Sequence, residues 1–230
     1  MGYRHVFFDL DRTLWDFETN SHEALLDICD NYDLHKKGIS DYEEFIKIYK
    51  IHNARLWDLY KIDKISQKDL RRERFQSALS EFGINDFKLS EDIGEDYIEV
   101  CPRKDRLFPY ALEMLDYLKQ KYTLHIITNG FDKTQHIKLK HSNLTPYFNQ
   151  IITSEKTGFK KPNPKIFGHA LDLANAKDIE SVYIGDNLFV DILACQNAGI
   201  DGIYFNPEKK WHNEKINFEI SCLSQIMEIL

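Results

Sequence analysis

The stretch Tyr3-Arg4-His5-Val6-Phe7-Phe8-Asp9-Leu10-Asp11-Arg12-Thr13 decides how this chain is read. Over Tyr3 to Leu10 it joins aromatic and β-branched residues, the mark of a short buried strand. It then turns acidic and polar, so Asp9 and Asp11 fall at the strand's carboxyl end, where a loop begins. An Asp-x-Asp pair alone says little, because acidic residues at strand ends commonly serve turns.

Beyond that strand the pattern changes. From about Thr19 to Tyr97 apolar residues recur at helical spacing, as in Ala24, Leu25, Ile28 and then Phe45, Ile46, Tyr49. Breaks near Gly38-Ile39-Ser40, Lys64-Ile65-Ser66 and Gly83-Ile84-Asn85 predict about four helices and no strand. After Pro102 the two periodicities alternate. Helix from Pro109, strand Thr123 to Ile127, helix from Asp132, strand Gln150 to Thr153, helix from Pro164, strand Ser181 to Ile184, helix Leu188 to Ala198, strand Gly202 to Phe205 and a last helix from Leu223 follow in turn. Such alternation predicts an α/β fold, a parallel sheet with helices on both faces. The predicted division is a core of residues 1–16 and 104–230 and an inserted all-helical domain of residues 17–103.

Composition narrows the classes of partner. Thirty basic against 37 acidic side chains give a net charge of -7, and the basic runs Lys36-Lys37, Arg71-Arg72 and Lys160-Lys161 are short. A chain of this charge repels polymeric nucleic acid and anionic membrane surfaces. Cys29, Cys101, Cys195 and Cys222 lie far apart with no CxxC pair, so reduced thiols in a cytoplasmic protein are expected rather than a zinc site or a disulfide framework. The first residues reach charge too soon for a signal peptide, and no segment approaches membrane-spanning length. None of the nine histidines has metal-site spacing.

Four polar clusters come just after predicted strands: Asp9-Leu10-Asp11-Arg12-Thr13, Thr128-Asn129-Gly130, Lys160-Lys161-Pro162, and Gly185-Asp186-Asn187 with Asp191 downstream. In a parallel sheet these positions converge on one edge, where ligands bind. Phosphoryl transfer needs a nucleophile, a proton donor, cationic and hydrogen-bonding groups for the phosphoryl oxygens, and usually Mg²⁺, an oxygen-seeking ion. Asp9 and Asp186 can supply carboxylates to the metal.

The ordered set Asp9-x-Asp11-x-Thr13, Thr128-Asn129, Lys161-Pro162 and Gly185-Asp186 with Asp191 resembles the motifs of the haloacid dehalogenase superfamily of hydrolases, over nearly the whole chain. The resemblance implies a Rossmann-like core under a small helical cap and a Mg²⁺-dependent phosphatase passing through an aspartyl-phosphate. It implies Asp9 as nucleophile and metal ligand. Asp11 is implied as general acid and then base, giving its backbone carbonyl to the metal. Thr128 and the backbone at Asn129 and Gly130 would grip phosphoryl oxygens, and Lys161 would offset charge between nucleophile and phosphate. Asp186 would ligate Mg²⁺, with Asp191 beside it or reaching it through water. Simpler roles compete at some positions: Thr13 as the end of a turn, Asp191 as a first-turn helix residue, Lys160 as a solvated neighbour, Asn163 before Pro164 as an N-cap.

Thr13-Leu14-Trp15-Asp16-Phe17, Ile127-Thr128-Asn129-Gly130-Phe131, Lys161-Pro162-Asn163-Pro164-Lys165-Ile166-Phe167 and Asp191-Ile192-Leu193 are similar to the branch of nucleoside 5'-monophosphate phosphatases that favours pyrimidine nucleotides. Arg12 departs from the acidic or small residue usual at its place. Specificity is expected on the cap and on the loop from Leu14 to Thr19. A base could stack on Phe17 or Trp57, with Asn53 or Arg74 at its edge or the sugar, although all four residue types also serve packing and surface. The expected partner is therefore a small phosphomonoester bound by a monomer or small homo-oligomer. A phosphosugar phosphatase or phosphomutase shares every core residue. A dehalogenase has no use for Asp11 as acid, a phosphonate hydrolase would want a Schiff-base lysine in the cap, and a non-catalytic binding module would not need the whole set.

Overall fold

The structure, a computed structural model, describes residues 2–230 and divides into two compact units. One comprises the chain up to Phe17 together with Asp105–Leu230, and the other is Glu18–Lys104.

The first unit is built on β1 (His5–Phe8), β2 (Thr123–Thr128), β3 (Phe148–Thr153), β4 (Ser181–Gly185), β5 (Asp201–Phe205) and β6 (Phe218–Ile220). They form one six-stranded sheet in the order β3-β2-β1-β4-β5-β6, and every pairing is parallel. Val6, Phe7 and Phe8 are all buried, as are Ile126 and Ile127 of β2 and Val182, Tyr183 and Ile184 of β4. Consecutive side chains point to opposite faces, so both faces of the sheet are covered. Each Phe removed from water contributes roughly 1.5–3 kcal/mol, which explains why the central strand carries two of them in succession.

Register sets where the loops begin. Phe8 lies opposite Ile126 on one side and Ile184 on the other. Asp9, Thr128 and Asp186 are one or two residues further on in each strand, so they leave the sheet at one carboxyl edge. The chain reverses its direction of sheet growth across β1 and β4, and such a switch point opens a crevice between neighbouring loops.

The second unit is helical: α1 (Phe17–Asn31), which begins at the boundary, α2 (Tyr42–Lys61), α3 (Gln67–Ser80) and α4 (Phe87–Val100), with a 3₁₀ turn at Leu34–Lys37. α2 buries Phe45, Ile46, Tyr49, Asn53, Leu56 and Tyr60, one face at three- and four-residue spacing. Asp41, Ser66 and Asp86 cap the last three helices by accepting backbone N–H bonds, each worth about 1 kcal/mol. The first break falls at Gly38, whose φ of 107° is open to glycine at little cost.

In the first unit the helices are α5 (Ala111–Leu118), α6 (Asp132–His141), α7 (Ser154–Thr157), α8 (Pro164–Ala174), α9 (Leu193–Asn197) and α10 (Ile226–Ile229). Several expectations need correction. The expected strand Tyr3 to Leu10 pairs only over His5–Phe8, because Leu10 turns into a loop held by its carbonyl, which accepts from Leu14 and Trp15 N–H. The expected helix Leu188 to Ala198 opens as a π turn over Leu188–Ile192. The terminal helix is a 3₁₀ turn, Leu223–Gln225, before the short α10. β6 and α7 went unanticipated, each being too short to show a period. Asn163 caps α8 by accepting from Lys165 N–H, as its place before Pro164 suggests. All four cysteines are free thiols. Among the described residues no helix is long and apolar enough to cross a membrane.

Candidate active site

Asp9 follows β1 directly and is 7% exposed. Its Oδ1 accepts from the Lys161 ammonium at 2.6 Å. The same ammonium donates to Asp191 Oδ1 at 2.6 Å and to the Tyr183 hydroxyl at 2.8 Å. These three partners satisfy all three N–H donors of a lysine.

Two reciprocal bonds hold the loop that delivers Lys161. Lys161 N–H donates to Asn129 Oδ1 at 2.8 Å, and Asn129 Nδ2 donates to the Lys161 carbonyl at 2.9 Å. The Asn129 side chain thus fastens one loop at the sheet edge to another, and both its oxygen and its nitrogen are engaged. Thr128, at the end of β2, is buried, and its Oγ1 accepts from Gly130 N–H at 3.0 Å and from Gln135 Nε2 at 2.8 Å. Gly130 is required because a Cβ there would overlap the Gln135 amide.

Asp186 follows β4 and accepts from Thr13 Oγ1 at 3.3 Å. Thr13 is fully buried, so it reaches across to a second strand's loop instead of only ending its own turn. Asp191 is buried in the π turn. Its Oδ1 takes bonds from Lys161 and from the Tyr183 hydroxyl at 3.0 Å, and its Oδ2 accepts from Asn187 N–H at 3.1 Å. Asp191 stands in the first turn, as the simpler reading expects, with Oδ2 on the N–H of the capping residue Asn187, while its Oδ1 is turned to Lys161.

One oxygen from each of Asp9, Asp186 and Asp191 lies within 4.8 Å of the other two. Burial, with Asp191 and Asp186 nearby, pushes the Asp9 carboxyl well above the usual range although Lys161 pulls it down. Asp186 is pushed up to about 7 by burial and by Asp191, partly offset by Arg12 and Lys161. Burial would lower Lys161, but Asp191 and Asp9 together hold its ammonium above its ordinary value. Three carboxylates thus face one shared ammonium, a surplus of negative charge that an oxygen-seeking divalent cation would neutralise.

Asp11 is also in the first unit, beside Lys138 and Gln135. Arg12 adopts a φ of 66° and lays its guanidinium 4.4 Å over the Phe17 ring. Phe17 therefore stacks under a cation of its own loop. Asn53, Trp57 and Arg74 belong to the helical unit. Asn53 and Arg74 are buried, Arg74 lying 4.7 Å over the Tyr97 ring, while Trp57 packs edge-on against Tyr60. Sequence reading missed Tyr183, Gln135 and Lys138. Tyr183 falls in the predicted strand Ser181 to Ile184 and the other two in the predicted helix from Asp132, with no role assigned to any of them.

The chain is similar to known proteins over nearly its whole length. The B. subtilis HAD hydrolase YfnB is 31% identical over 232 residues, 99% of this chain and 95% of that protein. Its solved structure, described as bound to magnesium, superposes with a TM-score of 0.89 at 28% identity, covering 100% of this chain and 99% of that one. The pyrimidine 5'-nucleotidase PynA of Streptococcus pneumoniae is 32% identical across 90% of this chain and 85% of its own length. A glyceraldehyde 3-phosphate phosphatase of Methanothermobacter thermautotrophicus is 31% identical, covering 98% of each chain. The model of the haloacid dehalogenase-like hydrolases matches residues 3–199, and the chain belongs to that family of enzymes.

Proposed function

We propose that this hydrolase is a Mg²⁺-dependent phosphomonoesterase that works through an aspartyl-phosphate on Asp9, with pyrimidine nucleoside 5'-monophosphates as its substrates. The observation that carries the reading is the Lys161 ammonium, held 2.6 Å from Asp9 Oδ1 at the edge of the sheet. The contact fixes the Asp9 carboxylate and leaves Oδ2 as the attacking atom.

In the first step an Asp9 oxygen forms a bond to phosphorus as the ester oxygen leaves, and that oxygen takes the proton of the Asp11 carboxyl. In the second step the Asp11 carboxylate accepts a proton from water, whose oxygen attacks phosphorus and breaks the bond to Asp9. Thr128 Oγ1 and the Asn129 backbone N–H bind phosphoryl oxygens, the Gly130 N–H being held by Thr128 Oγ1, and Lys161 balances charge between them and Asp9. Asp9, Asp186, Asp191 and the Asp11 carbonyl are the groups that would hold Mg²⁺. When bound, the ion draws charge off the phosphoryl oxygens.

Support for the nucleotide comes from PynA, a relative across most of the chain, and from the helical unit. There Arg74 Nε and Nη2, Asn53 Oδ1 and the Tyr49 hydroxyl are buried without hydrogen-bond partners. Guanidinium donors and an amide acceptor suit the polar edge of a pyrimidine, and Trp57 is the candidate aromatic surface of this unit. The archaeal relative favours a second reading, a sugar-phosphate substrate on the same chemistry.

Phosphate release from nucleoside monophosphates and sugar phosphates, with Mg²⁺ or EDTA, tests both. Turnover of uridine and cytidine monophosphates that is lost with EDTA and in Asp9→Asn is expected. A preference for sugar phosphates would replace the substrate and keep the chemistry, and turnover surviving in Asp9→Asn would overturn the mechanism.

A further inference from the structure

Both oxygens of the Asp11 carboxylate are already engaged, and by neighbours on one helix. Oδ1 accepts from Lys138 Nζ at 2.5 Å and Oδ2 from Gln135 Nε2 at 2.9 Å. Gln135 and Lys138 are three residues apart on α6, which places them on one face. The anchors are more buried than what they hold: Lys138 is 5% exposed at its side chain against 22% for Asp11, and Gln135 is fully buried. Lys138 is fixed further by the buried Trp15, whose ring centroid lies 4.4 Å below Nζ.

Gln135 has a second duty. The Nε2 that donates to Asp11 also donates to Thr128 Oγ1 at 2.8 Å. Its Oε1 is buried without a partner. A side chain selected for stability alone would satisfy that oxygen. The amide instead spends both N–H donors on the two side chains that the catalytic reading places on either side of the scissile bond.

We propose that Gln135 and Lys138 are positioning residues for Asp11, and that Gln135 ties the orientation of the proton donor to the Thr128 hydroxyl that meets the phosphoryl group. The inference rests on Asp11 acting as the acid. Its consequence lies in the leaving group. An alkoxide such as the ribose 5'-oxygen needs the Asp11 proton as its bond to phosphorus breaks, whereas p-nitrophenolate departs without one.

The test compares uridine 5'-monophosphate with p-nitrophenyl phosphate in saturating Mg²⁺, for wild type, Gln135→Met, Lys138→Met and Lys138→Arg. Both methionine variants are expected to lose about ten- to hundredfold in kcat/KM on the nucleotide and less than about threefold on the aryl ester, because kcat/KM reports transfer to Asp9 and not the later hydrolysis common to both, with Lys138→Arg partly restored. The ratio of the two rates does not depend on the folded fraction, so a poorly folding variant still reports. Equal losses on both esters, or no loss on either, would overturn the positioning role while leaving the phosphatase reading intact. A wild type inert on both esters would overturn that reading, and this inference with it.

Discussion

A Cβ placed on Gly185 would lie 2.6 Å from Asp191 Cβ and 2.7 Å from its carboxyl carbon. The last residue of β4 is therefore bare so that Asp191, six residues on, can fold back against the strand and reach Lys161. Gly185→Ala must push the carboxylate away from the ammonium. A destabilisation of about 1–3 kcal/mol, typical of overpacking, is expected together with a deep loss of kcat. Urea unfolding and phosphate release on the same preparation check it, and an alanine variant with wild-type activity would show that Asp191 need not sit so close.

Lys161 is the one ammonium hydrogen-bonded to both Asp9 and Asp191 among the described residues. Lys161→Met leaves buried carboxylates without it, which costs about 3–5 kcal/mol when one partner of a buried pair is removed. Adding Mg²⁺ is expected to recover part of that loss, because the cation binds the same carboxylates in the folded state only. Denaturation midpoints with Mg²⁺ and with EDTA give the comparison.

Arg74 is the opposite case, a buried guanidinium with Nε and Nη2 unpaired that rests on the Tyr97 and Phe75 rings. Replacing it by methionine removes a group whose burial is costly, so Arg74→Met is expected to unfold within about 1 kcal/mol of wild type or above it. If the fork meets the base, KM for uridine 5'-monophosphate rises by about tenfold or more while p-nitrophenyl phosphate is unaffected. Destabilisation without a change in KM would assign Arg74 to packing.

His125 is fully buried in β2, stacked on Phe7 at 4.6 Å and sharing one proton with His5 Nδ1 at 3.1 Å. Burial, with His5 alongside, pushes it down to about 4. The unfolded chain takes up a proton near 6.5, which the folded one refuses until about 4. Its contribution is therefore complete above 6.5 and is lost as pH falls towards 4, by up to about 3 kcal/mol. Burial lowers His5 too, with Glu180 opposing and Arg4 adding to the shift. His125→Phe is expected to keep the stack on Phe7 and flatten the acid limb of stability between pH 7 and 4.5, measured by urea unfolding.

Sequence alone determined the architecture of this protein and the points where its candidate site residues leave the sheet, because both are written in local periodicities. Side chains alternate every second residue in a strand and return every third or fourth in a helix. The turn from Phe7-Phe8 to Asp9 therefore marks both the end of a strand and an edge of the sheet, and the same holds for Thr128 and Asp186. Tertiary structure alone decided which of those groups touch. Lys161 meets Asp9 across 152 residues and Asp11 meets Lys138 across 127. The α6 segment Asp132-Lys133-Thr134-Gln135-His136-Ile137-Lys138 has Ile137 as its one apolar residue, yet Gln135 and Lys138 are buried. No period records that burial, since it depends on Trp15, Asp11 and Thr128 arriving from other strands and loops. Tyr183 shows the same limit: its place in β4 follows from pattern, but its hydroxyl's bond to Lys161 exists only once the fold has brought a distant loop over that strand.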